Sequence, residues 1–393
     1  MKKFSICIII FLTLSTFIHS VKQQKIVYLE NIRYYAYPDY TRVVIDLSYP
    51  IKIKEKILPG QNKTRLYFDL KNCKLSSEYP CEKTREIIID SGNLKKIRTG
   101  KRGNYTRRIV FEFDHIEKYD KFYLISPFRI VFDIFQDRTN EKPIYNRSIT
   151  PPKNLKDNYS IARQLGLGVH RIVIDPGHGG KDPGAINRKY KIYEKNLTLD
   201  IAKKLKNIIK QHSTYEVILT REDDRYISLE ERTAIANSKR ADLFISIHLN
   251  AAPRKDARGV ETFYLSFASD PWAIRVAAQE NATSTKTIGE MKSILEQIVK
   301  NTKISESKIL CNCIQKNIVT QLKKKYRKIN NLGVKKAPFY VLVGARMPAV
   351  LAEVSFLSNN QEAKRLKSSS YRYSIANGIY YGIISYIKSL GKK

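Results

Sequence analysis

His178, Glu194, His248 and Glu353 are the residues of this chain whose types and settings could do chemistry. His178 stands in Arg171 to Ile186, RIVIDPGHGGKDPGAI, just after an apolar, β-branched run that ends at Asp175. Proline and glycine break that strand and leave the histidine on a turn, at the edge where open α/β sheets place ligands. Glu194 precedes a helix in Tyr193-Glu194-Lys195-Asn196, His248 ends the strand pattern LFISIH, and Glu353 follows the apolar run PAVLA. Two histidines and one glutamate make a three-ligand zinc site with a position left for water, and the remaining glutamate can serve as base. Separations of 16 residues (178 to 194) and 54 residues (194 to 248) are not zinc-finger spacing. They require a preformed fold that gathers strand ends. Alone, His178 reads as a turn residue, His248 as a capped strand end, and the two acids as solvated. Their joint occurrence points to a site.

The chemistry such a set serves is amide hydrolysis. An amide is a poor electrophile with a poor leaving group. Zinc polarises its carbonyl and lowers the pKa of bound water toward about 7. The free carboxylate then takes a proton from that water and passes it to the departing amine. Asp175, Asn250, Arg221, Arg232 and Ser355 lie near these motifs and suit either contacts around the site or strand-end packing. His19, His115, His170 and His212 lie outside them.

DPGHGGKDPGA, YEKN, SIHLNA, GVETFYL and AEVSFLSN occur in this order between residues 170 and 390. Together they resemble the zinc-dependent N-acetylmuramoyl-L-alanine amidases of bacterial cell walls. The resemblance implies that His178, Glu194 and His248 hold zinc and that Glu353 is the catalytic carboxylate. It also implies the bond cut, between the lactyl group of N-acetylmuramic acid and L-alanine of peptidoglycan, in wall remodelling and daughter-cell separation. The residues alone give zinc-assisted amide hydrolysis. A zinc peptidase or deacylase on another envelope substrate, or a non-catalytic wall-binding protein on the same fold, are the competing readings. Retention of Glu353 argues against the last.

The net charge of +34 over 393 residues asks for an anionic partner, or reflects compositional drift in a chain rich in Lys, Ile, Asn and Tyr. It divides into about +10 for residues 21–150 and about +20 for 170–393, so both halves contribute. Met1-Lys2-Lys3 followed by an apolar run to Ile18 reads as a secretory signal peptide over residues 1–20. That run is short for a membrane span, an uncleaved N-terminal anchor being the rival reading, and no other stretch is long enough to cross a bilayer. Export to the periplasm or cell envelope is therefore expected, with peptidoglycan as partner, no nucleic acid, and no stable membrane span after signal removal. An oxidising compartment would allow Cys73 and Cys81 to bridge. Cys311 and Cys313, two apart on an expected helix, read as ordinary helix positions.

Residues 26–137 repeat a short pattern: RVVIDL from Arg42, RLYFDL from Arg65, RIVFEF from Arg108 and RIVFDI from Arg129. Period two puts each Arg and the acid four residues on upon one strand face. An all-β sandwich follows. It resembles the AMIN domain that precedes the catalytic domain in exported amidases, which implies a targeting role over residues 21–138. Residues 139–169 have linker composition, with Pro143, Pro151 and Pro152 among polar residues. From 170 to 393 strands alternate with helices, which predicts an α/β domain with a mainly parallel sheet flanked by helices. Helices are expected near 196–210, after Ser228 with Glu231 as its capping partner, after Ser358, and over 371–390. Strands are expected at 216–220, 243–248, 259–265, 339–343 and 349–354. Asp270 to Ser307 is too long for a simple connection and carries an amphipathic helix at 284–302. By resemblance it covers the zinc site, through Glu290 or Glu296, until an activator protein withdraws it. The alternative is that it only packs on the sheet.

Overall fold

The computed structural model describes residues 26–135 and 169–391, apart from 38–39, 61–62, 78–85, 90–93, 115–117, 125–126, 269 and 283–302. The expected signal peptide, Cys81, most of the linker, and Glu290 with Glu296 lie outside the described residues.

The N-terminal half is a sandwich of two sheets, consistent with the alternating strand pattern. Its strands are β1 (Val27–Tyr37), β2 (Tyr40–Leu47), β3 (Glu55–Leu58), β4 (Thr64–Lys71) and β5 (Cys73–Leu75). They continue with β6 (Glu86–Ile88), β7 (Leu94–Lys101), β8 (Thr106–Phe113), β9 (Lys118–Leu124) and β10 (Phe128–Phe135). One sheet runs β5-β1-β2-β10-β9 and the other β3-β4-β8-β7-β6. Phe68, Phe111 and Phe132 pack between them. The repeated Arg-acid strands pair with one another, two in each sheet. Arg42 stands opposite Asp133 and Arg129 opposite Asp46. In the other sheet Arg65 stands opposite Glu112, and Asp69 opposite Arg108. Antiparallel pairing of two R-x-x-x-D/E strands sets each arginine against the other's acid.

The C-terminal half holds β11 (Arg171–Pro176), β12 (Ile186–Asn187), β13 (Ile192–Tyr193), β14 (Glu216–Leu219), β15 (Leu243–Asn250), β16 (Val260–Leu265), β17 (Asn331–Ala337) and β18 (Ala349–Phe356). Six of these form a sheet in the order β14-β11-β15-β18-β16-β17, parallel except for β16 against β18. The helices are α1 (Glu194–His212), α2 (Leu229–Ser238), α3 (Pro271–Glu280), α4 (Ile304–Lys323), α5 (Asn360–Leu366) and α6 (Ser369–Gly391). α1, α4 and α6 cover one face, burying Ile201, Leu205, Ile314, Ile318, Ile375 and Ile379. On the other face lie α2 and α3. This is the expected α/β architecture behind an all-β sandwich. None of the described helices is long and apolar enough to cross a membrane.

Two local expectations are corrected, and one strand was missed. Phe339 to Val343 contains a 3-10 turn at Tyr340–Leu342 and no strand. Its five apolar residues are all buried, so the run carries no alternation by which a strand could be told from any other buried segment. The helix after Ser358 is capped by Asn359, whose Oδ1 accepts from Gln361 N and Glu362 N. Ser358 Oγ instead accepts from Ala252 N. Strand β17 was not expected; its two lysines and half-exposed pattern are those of a sheet edge.

The two halves share a core. Val44, Leu124 and Val131 of the sandwich cluster with Ala236 of α2 and with Tyr340 and Val341. Arg42, 1% exposed, grips Asp133 through Nε and Nη2 at 2.6 Å each. Its Nη1 donates to Glu230 O at 2.8 Å and to Thr233 Oγ1 at 2.6 Å, both on α2. Arg129 pairs with Glu230, and the Tyr35 and Ser228 hydroxyls share a hydrogen bond. Gly344 (φ +79) lets the chain pass close: a Cβ there would meet Arg42 Nη2 at 2.6 Å and Phe122 at 3.0 Å.

Candidate active site

Asp175, at the end of β11, is fully buried and holds the strand ends together. Its carboxylate accepts from Thr220 Oγ1 (2.6 Å), Arg232 Nη1 (2.8 Å) and Ser246 Oγ (2.7 Å). Burial alone would raise its pKa; Arg232 and the two hydroxyls outweigh this and hold it below the usual carboxylate range. Beyond it the backbone turns sharply, with His178 at φ 61, Gly179 at φ 133 and Gly180 at φ 58. A left-handed histidine is costly and persists only where surroundings fix it. Here two buried arginines do so. Arg221 donates to Pro176 O and Gly177 O, and Arg232 to Pro176 O and His178 O. Gly177 cannot carry a side chain, because a Cβ would lie 2.5 Å from the His248 ring.

The turn aims His178 inward. Asp182 Oδ2, 2.8 Å from Nδ1, orients the ring and leaves Nε2 facing the interior. Glu194 opens α1, where the helix dipole favours a carboxylate. Its Oε1 accepts from Leu249 N and its Oε2 from Ala185 N, both at 2.8 Å. His248 lies near the end of β15, one strand from β11, and is 3% exposed. Glu353 lies opposite it on β18, fully buried. The structure thus brings all four expected residues to one edge of the sheet.

A fifth residue joins them. Glu280, the last of α3, puts Oε2 2.8 Å from His248 Nδ1 and 3.3 Å from His178 Nε2. Glu194 Oε1 stands 3.2 Å from His178 Nε2 and 3.3 Å from His248 Nδ1. His178 Nε2, His248 Nδ1 and Glu280 Oε2 are buried without a hydrogen-bond partner. Four ligand atoms from His178, Glu194, His248 and Glu280 lie within 4.8 Å of one another. Ligand atoms about 2.0–2.1 Å from a tetrahedral ion stand about 3.3 Å apart, which the separations of His178 Nε2 from Glu194 and Glu280 and of His248 Nδ1 from Glu194 match, while His248 to Glu280 is shorter. Two imidazoles and carboxylates are a borderline-hard donor set suited to a divalent transition ion.

Electrostatics separates the acids. Burial would lower the His248 pKa, but Glu280 and Glu194 outweigh it and raise it to about 9. Burial would raise Glu194, yet His178 and His248 hold it well below the usual carboxylate range. Glu353 goes the other way. Burial, followed by the charges of Glu280, Glu194 and Glu261, pushes it well above that range. Both its oxygens are buried without a hydrogen-bond partner. A carboxyl kept off every neighbouring donor is free to exchange a proton with something that enters.

Residues 172–385 match the protein family described as N-acetylmuramoyl-L-alanine amidase, more than half of the 393 residues. The chain belongs to that family. Residues 31–119 of this amidase match the AMIN domain. It is 29% identical over 377 residues to N-acetylmuramoyl-L-alanine amidase AmiC of Escherichia coli O6:H1, spanning 90% of this chain and 88% of that one. N-acetylmuramoyl-L-alanine amidase AmiA of Escherichia coli K12 is 35% identical over 228 residues, 56% of this chain and 76% of its own. Among solved structures, the N-acetylmuramoyl-L-alanine amidase from Clostridium difficile 630 is 33% identical, with a TM-score of 0.44, covering 56% of this chain and 98% of that one.

Two buried acids of this amidase escaped the sequence reading. Glu280 shares a helical face with Ala273, Val276 and Ala277, all buried, and this spacing of three, four and seven is the one signal the sequence carries for it. Glu261 lies within GVETFYL, opposite Glu353 in register. It accepts from Asn250 Nδ2 (2.6 Å), Trp272 Nε1 (2.9 Å) and Lys335 Nζ (2.7 Å). Asn250 therefore contacts Glu261, while Ser355 donates to Glu362 near the start of α5.

Proposed function

We propose that this chain is an exported zinc amidase that cuts the bond between the lactyl group of N-acetylmuramic acid and L-alanine. The observation that carries this reading is the convergence of His178, Glu194 and His248 beside a buried, unpartnered Glu353. His178, Glu194 and His248 would hold the ion. Zinc bound there supplies polarisation of the scissile carbonyl and a nucleophile at neutral pH. Glu353 accepts the proton of the attacking water and delivers it to the alanine nitrogen as the bond breaks. Asp182 fixes the His178 ring, and Arg221 with Arg232 keeps the left-handed turn from relaxing. Digestion of purified sacculi with mass analysis of the products tests the reading. Fragments with free alanine amino groups and free lactyl carboxyls are expected, and a different cut or none would overturn it.

Each metal ligand is expected to matter on its own. His178→Ala, Glu194→Ala and His248→Ala should each lose the zinc that the unaltered protein retains through dialysis. Full zinc content in any one of them, read by elemental analysis, would remove that residue from the ligand set.

Glu280 carries the proposal on control. Four protein ligands close a zinc site, whereas a hydrolytic one keeps a position open. Glu280 would fill that fourth position if it stayed beside His178, Glu194 and His248, which is the blocking role expected of Glu290 or Glu296, themselves outside the described residues. α3 must withdraw it before substrate can enter, and an activator protein is the natural agent of withdrawal. Glu280→Ala should retain zinc and raise basal wall hydrolysis without an activator. Unchanged or lower hydrolysis by the zinc-loaded variant would make Glu280 a permanent part of the site. The net positive charge and the sandwich fit retention at an anionic cell envelope, in line with a role in daughter-cell separation.

A further inference from the structure

A groove of about 850 Å³ opens between the loop 252–258, the start of α3, β17, the end of β18 and the start of α5. Its walls carry Arg254, Lys255, Arg258, Arg275 and Lys335 against a single carboxylate, Asp256. Arg254 is taken up by Asp256 and Lys335 by the buried Glu261. Lys255, Arg258 and Arg275 form no ion pair with any described residue. Trp272 and Phe356 stack at 6.1 Å, with the Arg275 guanidinium 5.3 Å and the Lys335 ammonium 5.7 Å from the indole centroid. An aromatic platform in a groove that also carries the unpaired Lys255, Arg258 and Arg275 suits an extended ligand carrying carboxylates.

The groove is joined to the reaction centre by one residue. Glu261 receives Trp272 and Lys335 from the groove side and faces Glu353 across the β16–β18 pair. Resting on the amidase reading, the bond that breaks releases the alanine nitrogen, and Glu353 is the group that protonates it. The peptide must therefore leave on the Glu353 side. Chemistry separates the two halves of the substrate as well. The sugars of the glycan are N-acetylated and their lactyl carboxyl is tied up in the amide, so that half is neutral. The peptide half carries the free carboxylates.

We propose that this groove is the peptide subsite, in which Lys255 and Arg258 hold the carboxylates of the wall peptide and Trp272 carries its backbone. Trp272 is the sole tryptophan of the chain, so its emission reports on the groove without any turnover. The probe is the tripeptide L-alanyl-γ-D-glutamyl-meso-diaminopimelate, titrated into the full zinc-loaded chain. A saturable change in emission is expected, weakened by salt and absent when the carboxylates of the tripeptide are amidated. The double variant Lys255→Glu/Arg258→Glu alters only a surface loop away from α3. It should weaken tripeptide binding and raise KM for soluble wall fragments by roughly tenfold, with kcat within about twofold. Lys255→Arg/Arg258→Lys should restore both. Wall cleavage with an unchanged KM in the reversed variant, or with no emission response to the tripeptide, would overturn the subsite and leave the amidase reading intact. Equal binding of poly-L-glutamate with no change in KM would overturn it in favour of an acidic protein segment. Failure of the unaltered chain to cleave sacculi would instead count against the amidase reading, and the emission titration would still decide the groove.

Discussion

Glu353→Gln is expected to keep its zinc, fold normally and bind wall, while turnover falls by roughly 10² to 10⁴, the usual worth of acid–base catalysis. The glutamine keeps the shape of a side chain that makes no hydrogen bond in the structure, so little stability is at stake. It loses the only function left to a buried carboxyl with two free oxygens, which is to take and return a proton. The ligand set of His178, Glu194 and His248 is untouched by the change. Steady-state kinetics on soluble wall fragments, with zinc measured on the same sample, separates the two roles. Near-normal kcat would place proton transfer elsewhere, with Glu261 the next acid along the same pair of strands. Zinc loss would make Glu353 a ligand.

His178, His248 and Glu353 were legible because each follows an apolar run that ends in a turn or at a strand end, and parallel strands must end on one sheet edge. Glu194 was legible as an acid at a helix start. Glu280 was not, because nothing in its immediate neighbours distinguishes an acid at a helix end from a solvated one. Only the helix face shared with Ala273, Val276 and Ala277 does so, and that face acquires meaning when the sheet beneath it is known. The four repeated Arg-acid strands likewise announced a sandwich but not its asymmetry. In one sheet Arg65 and Glu112, and Arg108 and Asp69, pair at a partly exposed surface. In the other the same pattern is buried against α2. Periodicity fixes which residues share a face. What covers that face is decided by the other half of the chain, through α2 and the 3-10 turn at Tyr340–Leu342.

Arg42→Ala is expected to destabilise the protein by about 3–5 kcal/mol, the cost of breaking a buried ion pair from one side. The Asp133 carboxylate, 2% exposed, would lose the guanidinium that grips both its oxygens and keep only the Tyr40 hydroxyl. Glu230 O and Thr233 Oγ1 would lose a donor in the same step. Replacing both partners, Arg42→Met with Asp133→Leu, should recover much of the loss, because no charge is then left buried alone. The effect should reach the site. α2 carries Arg232, which holds Asp175, Pro176 O and His178 O in place, so loosening the first turns of α2 frees the turn that aims His178. Arg42→Ala should therefore surrender zinc to a chelator faster than the unaltered chain, while the double replacement should not. A fragment beginning near residue 168 would expose Ala236, Tyr340 and Val341 to water and should be less stable than the full chain. Urea unfolding followed separately in each half provides the decision. One shared transition, shifted down in Arg42→Ala and partly restored in the double variant, is the expected result. Two independent transitions with Arg42→Ala within about 1 kcal/mol of the unaltered protein would mean that the sandwich does not brace the catalytic half.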